Sequence, residues 1–252
     1  MSNFDQVAVQ FELYRTFPPE VIKQIQQAVA AESSSTGGRL LEIGAGTGRF
    51  GRQFVIAGCA YFAVDSSHEM LREFAVRIPD SKLIQADACA LPFPNQTFST
   101  VLLFHFFGAS SSGEDLFAEA ARVLDHDGVV IVGQRVGPTA AIDAQMRAEL
   151  RNILTTMKVP MSEPGSRRDH AQLQFESVAK SHKTIVAASW KADSSPDDFV
   201  KRHRTGAWFS ALDKRVQDES LARLSDWAIA RFGSLEARAP QEYKFQLDVF
   251  RL

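Results

Sequence analysis

Three glycines, two aspartates and one histidine carry most of the chemistry that residue types and spacing suggest in this 252-residue chain. The stretch LLEIGAGTGRFG runs from Leu40 to Gly51, with an apolar strand pattern leading into Gly44, Gly46 and Gly48 and a helix pattern following. Glycines in such a turn permit positive φ and carry no side chain, so a ligand can reach the backbone amides and the helix N-terminus. Asp65 ends the next apolar run, 21 residues after Gly44, where a carboxylate can accept hydrogen bonds from ribose hydroxyls. Asp87 ends the third run, where its carboxylate and the amide of Ala88 can read the amino group and ring nitrogen of adenine. That much fits NAD or S-adenosylmethionine. The dinucleotide pattern G-x-G-x-x-G is satisfied by Gly46, Gly48 and Gly51. That register starts two residues past the strand, whereas Gly44 starts at its end.

Such residues need strands to carry them to one edge. The runs RLLEIG, AYFAVD, KLIQAD, TVLLFHFF and GVVIVGQR alternate with helical patterns, which predicts a parallel sheet covered on both faces. Ser66 with Glu69 forms a capping-box pattern ahead of Met70, Leu71 and Phe74. Leu116, Ala120, Val123 and Leu124 share one helical face. Upstream, FPPEVIKQIQQAVA reads as a helix opened by Pro18 and Pro19, with the spacer SSSTGG after it. Past Arg135 the alternation loosens. Ala140 to Met157 reads as a helix, Pro160 to Arg168 as a loop, and Gln172 to Ala179 as a short helix. His182 to Trp190 reads as a strand, and Pro196 to Phe232 as two helices. The alternation of Tyr243, Phe245, Leu247 and Val249 with polar residues marks a final strand.

Taken together, E-I-G-A-G-T-G-R, the V-D-S-S-x-x-M-L stretch at Val64 to Leu71, D-A-x-x-L-P-F at Asp87 to Phe93 and A-R-V-L-x-x-D-G at Ala121 to Gly128 resemble the class I S-adenosylmethionine-dependent methyltransferases. The likeness is strongest to the small-molecule branch related to ubiquinone and menaquinone biosynthesis methyltransferases, and covers Leu40 to about Val132. It implies that Glu42, Gly44, Ala45, Gly46 and Gly48 surround the methionine moiety of S-adenosylmethionine. Asp65 would hold the ribose, Ser66 and Met70 would flank the adenine, and Asp87 with Ala88 would recognise its edge. Phe104 and His105 would lie beside the transferable methyl, and S-adenosylhomocysteine would be the product. The family commonly has Phe-Asp where this chain has Phe98-Ser99.

F-D-x-x-A at Phe4 to Ala8 and R-x-x-P at Arg15 to Pro18 also look like the opening of these enzymes. On that likeness Tyr14 and Arg15 are pocket residues, Arg15 meeting the cofactor carboxylate; the alternative is a surface pair of Arg15 with Glu12 or Glu20. His105 has two readings, a general base for an oxygen or nitrogen acceptor and a packed residue among Phe104, Phe106 and Phe107. Lys201, Arg202, His203 and Arg204 read either as a site for an anionic acceptor or as a solvated helix face. Cys59 and Cys89 read as small packing residues, and no His or Cys spacing recommends a metal. The group from Trp190 to Gly233 looks like bacterial methyltransferases whose acceptors are mostly undefined, so only the fold carries over there.

Composition sets the outer bounds. With 28 basic and 30 acidic side chains the net charge is −2, which argues against a nucleic-acid partner. The absence of a long apolar run or signal-peptide pattern gives the expectation of a cytoplasmic protein without a membrane span, of undetermined oligomeric state. The expected architecture is doubly wound α/β, Rossmann-like, with a seven-stranded mostly parallel sheet, an antiparallel last strand and helical cap insertions. Within one domain, residues 1–36 form an N-terminal helical segment over the cofactor site, 37–136 the cofactor-binding core and 137–252 the cap with the final strands. The expected activity is methyl transfer from S-adenosylmethionine to a small-molecule acceptor by in-line displacement. The competing readings are a nicotinamide-dependent oxidoreductase and a non-catalytic S-adenosylmethionine-binding protein.

Overall fold

The computed structural model describes residues 8–33, 38–79, 81–105, 113–161 and 173–252. Seven strands, β1 (Arg39–Ile43), β2 (Ala60–Asp65), β3 (Lys82–Gln85), β4 (Phe98–Phe104), β5 (Leu124–Val136), β6 (Ser181–Ser194) and β7 (Ala239–Arg251), form one sheet in the order β3-β2-β1-β4-β5-β7-β6. The first five are parallel, and β7 lies antiparallel between β5 and β6. The doubly wound sheet with an antiparallel last strand is therefore present. β4 is buried along its whole length, as expected for a central strand covered on both faces.

Its side chains alternate between two cores. Leu102 and Phe104 pack with Val21, Ile25 and Val29 of α2 (Pro19–Glu32) and with Phe54 of α3 (Gly51–Ile56). Val101 and Leu103 face Leu116, Ala120 and Val123 of α5 (Gly113–Val123). α2 starts at Pro19, whose fixed φ suits the first helical turn; ahead of it lie a short α1 (Ala8–Phe11) and a 3-10 turn (Glu12–Tyr14). The expected capping box at Ser66 and Glu69 is replaced by a different cap. α4 (His68–Arg77) is capped by Ser67, whose Oγ accepts from the Met70 amide at 3.2 Å. The Asp65 carboxylate accepts the Ser67 amide at 2.9 Å, which delays helix entry by one residue and leaves Ser66 outside it.

A third core joins α6 (Ile142–Thr156), α8 (Pro196–Arg204), α9 (Ala207–Ser210) and α10 (Lys214–Phe232), through Met146, Leu150, Phe199, Phe209, Leu221 and Leu224. The segment expected to hold two helices holds three. Ser195 and Asp198 box the start of α8, and Asp213 caps α10, so each helix restarts on its own cap. A short α7 occupies residues 173–178. Gln172, the loop positions 162–168, Ser34 to Gly37, Phe106, Phe107 and most of the F-D-x-x-A motif lie outside the described residues. No described helix is long and apolar enough to cross a membrane. At the position where the family commonly has Asp, Ser99 donates its hydroxyl to the Arg39 carbonyl at 3.2 Å and so ties β4 to the start of β1.

Two of the quoted motifs meet at Arg122. Its guanidinium donates to Glu119 Oε1 (2.7 Å) and Oε2 (2.8 Å), to the carbonyls of Phe93 (2.7 Å) and Leu91 (3.0 Å), and to Asn95 Oδ1 (3.0 Å). The arginine of A-R-V-L thus holds the loop that follows Asp87. Replacing it strands two carbonyls and a carboxylate. Arg122→Ala should lower unfolding free energy by about 2 kcal/mol in urea titration; Arg122→Lys should restore only part of it, since an ammonium lacks the fork geometry.

Candidate functional site

The carboxyl ends of β1, β2, β3 and β4 open into one cavity of about 940 Å³, near the upper end of the roughly 300–1,000 Å³ that ligand pockets occupy. It lies where the strand order reverses between β1 and β4, the expected ligand position in an open α/β sheet. Gly44 follows β1 directly at φ +74°, and the Gly44 and Ala45 amides donate to the Val64 carbonyl at 2.8 and 3.0 Å. Gly46 has φ +56°, and a Cβ built there would meet nothing within 4 Å. Gly48 differs. A Cβ there would stand 2.5 Å from the Phe74 ring, so the missing side chain makes room for α4, and Gly48 lies outside the cavity lining.

Asp65 locks the turn from the neighbouring strand: Oδ2 accepts the Gly46 amide at 2.9 Å while Oδ1 takes that of Ser67. Ser66, Met70, Asp87, Ala88, Phe104, His105 and Arg15 also border the cavity. Asp87 folds its own loop by accepting the Cys89 amide at 2.9 Å. Tyr14 is elsewhere. It lines a separate cavity of about 450 Å³ with Leu13, Trp190 and Asp193, because the 3-10 turn directs it away from the glycine turn.

The turn is also gripped from the N-terminal side. Glu12 accepts from the Thr47 hydroxyl and lies 3.5 Å from Arg49 Nε. Arg49 crosses the faces of Phe11 and Phe17, and its buried Nε and Nη2 find no hydrogen-bond acceptor among the described residues. Glu42, only 2% exposed, accepts from Tyr61 Oη at 2.5 Å. Burial outweighs that bond and the nearby Arg49, and pushes the Glu42 carboxyl up to about 7.

An aromatic wall stands beside the strand ends. Phe50 packs against Phe104 (5.0 Å between ring centres) and Phe17 (5.4 Å). His105 sits against Phe245 (5.5 Å) and Phe17 (6.0 Å). Its backbone is left-handed at φ +53°, with its amide donated to Gly133 O at 3.0 Å, a sparsely populated conformation for a residue with a side chain.

The remaining wall is cationic. Arg135 from the end of β5, Arg147 from α6, and Arg202 and His203 from α8 line the same cavity. Buried Asp143 accepts from Arg135 (3.1 Å), from Ser194 (2.9 Å) and from Arg202. Arg15 donates to the Arg202 carbonyl (2.7 Å) and Thr205 Oγ1 (3.1 Å), so it pairs with neither Glu12 nor Glu20. The basic run from Lys201 to Arg204 divides: Lys201 and Arg204 are exposed, Arg202 and His203 face inward. Burial and the charges of Arg15, Arg147 and Arg202 push His203 down to about 4. Sequence reading missed Arg49, Arg135 and Arg147 as site residues, and treated the inward turn of Arg202 and His203 as one of two options.

A methyltransferase-domain family model matches residues 41–132. The phosphatidylethanolamine N-methyltransferase of Cereibacter sphaeroides is 30% identical over 149 residues, 54% of this chain and 70% of that one. The demethylmenaquinone methyltransferase of Renibacterium salmoninarum is 32% identical over 111 residues, 44% of this chain and 47% of that one; the match thus spans about half of that relative's length. The solved structure of the YcgJ protein from Bacillus subtilis shares the fold at TM-score 0.58 and 18% identity, over 91% of this chain and 98% of that one.

Glu42 makes the empty protein sensitive to pH. A carboxyl raised from its ordinary 4.5 to about 7 stabilises the fold fully below about 4.5, and that stabilisation is lost as pH rises through about 7. Between pH 5 and 8 the wild type should lose roughly 3 kcal/mol relative to Glu42→Gln, by the size of the shift. Denaturant titrations of both proteins across that range read the difference directly, and parallel curves would show that Glu42 does not titrate there.

Proposed function

The chain belongs to the class I S-adenosylmethionine-dependent methyltransferases, and on that premise we propose that it transfers a methyl group to a small-molecule acceptor within the cavity at the strand ends. The observation that carries the reading is the convergence of the open Gly46 turn, Asp65 and Asp87 on one cavity. The residues fit the cofactor chemically: Gly46 leaves room for it, and Arg49, whose Nε lies 3.5 Å from Glu12, keeps a buried Nη2 without a hydrogen-bond acceptor among the described residues. When bound, S-adenosylmethionine supplies a methyl on a sulfonium leaving group, so the S–C bond breaks as the acceptor lone pair takes the methyl and S-adenosylhomocysteine departs.

In this reading Asp65 binds the ribose hydroxyls, and Ser66, Met70, Asp87 and Ala88 enclose the adenine. Glu42 meets the ammonium of the methionine moiety and Arg49 its carboxylate, with Gly44 and Ala45 presenting backbone to it. That assignment gives Arg49 the role first considered for Arg15. Gly48 and Tyr14 receive no contact with the cofactor. Phe50, Phe104 and His105 exclude water from the transfer point and align the acceptor, which is most of what an activated methyl donor requires. His105 accepts the proton of an oxygen or nitrogen acceptor. The two curated relatives are named for acting on small molecules, phosphatidylethanolamine and demethylmenaquinone, which supports an acceptor of that scale.

Titration calorimetry should show S-adenosylhomocysteine binding and no NADH binding; the reverse would return the nicotinamide reading. Asp65→Asn should weaken S-adenosylhomocysteine by roughly 10-fold or more, the worth of a charge-assisted hydrogen bond, with unchanged affinity refuting the ribose role. Once an acceptor is in hand, the acid limb of the kcat–pH profile should vanish in His105→Gln, and a limb that survives would leave His105 as wall alone.

A further inference from the structure

We infer that the acceptor carries an anionic group, a carboxylate or a phosphate, seated among Arg15, Arg135, Arg147 and Arg202 on the cap side of the cavity. The inference rests on the reading above in one respect: the glycine-turn half is taken to hold the cofactor. Four guanidiniums line the cap side, and the carboxylate among them, Asp143, is already shared between Arg135 and Arg202. Arg15 spends its hydrogen bonds on neutral oxygens, Thr205 Oγ1 and the Arg202 carbonyl. Among the described residues no carboxylate pairs with Arg15 or with Arg147.

The cofactor's own carboxylate does not account for this surplus. Arg49 stands on the glycine turn itself, close enough to Glu42 for their charges to interact, and its buried Nη2, without a hydrogen-bond acceptor among the described residues, suits that carboxylate. The charge on the cap side is left over. Holding Arg15, Arg135 and Arg202 together partly away from water costs free energy, which a bound anion returns, and exposed Arg147 adds to the same positive wall. Arg15 registers this cost: burial and the charges of Arg49, Arg202 and Arg135 lower it to about 10. His203, with buried Nε2 lacking a hydrogen bond among the described residues, adds a neutral polar group to the same wall. Phe17, Phe50, Phe104 and Trp208 line the same cavity. The site therefore suits a flat apolar body with an anionic end, since guanidinium forks favour planar oxyanions.

The test uses the full chain saturated with S-adenosylhomocysteine and titrated with benzoate, phenyl phosphate, benzamide and benzyl alcohol. At least one of the two anions should bind ~10-fold or more tightly than both neutral compounds, weakening as salt rises; which anion is tighter identifies the carboxylate or phosphate source. Arg147→Gln, at an exposed helix position, should weaken the anion ~5-fold while S-adenosylhomocysteine affinity stays unchanged. Benzamide binding as tightly as benzoate and phenyl phosphate, or anion affinity indifferent to Arg147→Gln, would overturn the inference while leaving the methyltransferase reading intact. Failure of the wild type to bind S-adenosylhomocysteine would overturn the cofactor assignment, and the inference with it.

Discussion

Asp143 is the buried charge around which the cap is organised. At 6% exposure a carboxylate is tolerated only with partners, because desolvation costs several kcal/mol per ion. Its partners come from three other elements: Arg135 from the end of β5, Ser194 from the end of β6 and Arg202 from α8. Satisfying one carboxylate on α6 thus fixes how the helical layer meets the sheet. It also brings two arginines together with a single negative charge between them. The cationic wall follows from the same arrangement that holds the cap in place.

Asp65 plays the corresponding part on the opposite side of the cavity. By accepting from Gly46 and Ser67 at once it fixes the glycine turn and the start of α4 to each other, so the open space at Gly46 is held at a defined place. The N-terminal segment then joins the two halves. Glu12 engages Thr47 and Arg49 of the turn, while Arg15, three residues on, grips the C-terminal end of α8. Any displacement of this short segment therefore alters both walls together.

The sheet was legible because its determinants are local. Short strands with glycine or Asp at their ends state their own period and stop, as β1 and β2 do. The strand-end residues Gly44, Asp65 and Asp87 were legible for the same reason, since topology alone carries strand ends to one edge. Gly48 misled because a bare glycine does not say whether a ligand or Phe74 fills its missing Cβ. The arginines were hidden for another reason. Arg49, Arg135 and Arg147 lie far apart in the chain, on the glycine turn, β5 and α6, and each alone looks like a surface cation. Only the tertiary course of the chain makes them neighbours.

The resulting cavity is dipolar, and its polarity matches two ligands of opposite character. Glu42, Asp65 and Asp87 stand on the sheet side, the guanidiniums of Arg15, Arg135, Arg147 and Arg202 on the cap side. A ligand with a sulfonium and an ammonium against one carboxylate is net positive, so a cavity lined only by arginines would repel it. Acidic groups at the strand ends offset that repulsion where it acts. Glu42 does so conditionally. Its buried carboxyl, raised to about 7, shares a proton near neutral pH, so burial does not demand a full negative charge there. A cation beside it, as the proposed cofactor site implies, would lower that value and release the proton. On the proposed reading the sheet side would thus gain negative charge where the cofactor's positive charge sits, while the cap side keeps its surplus positive charge.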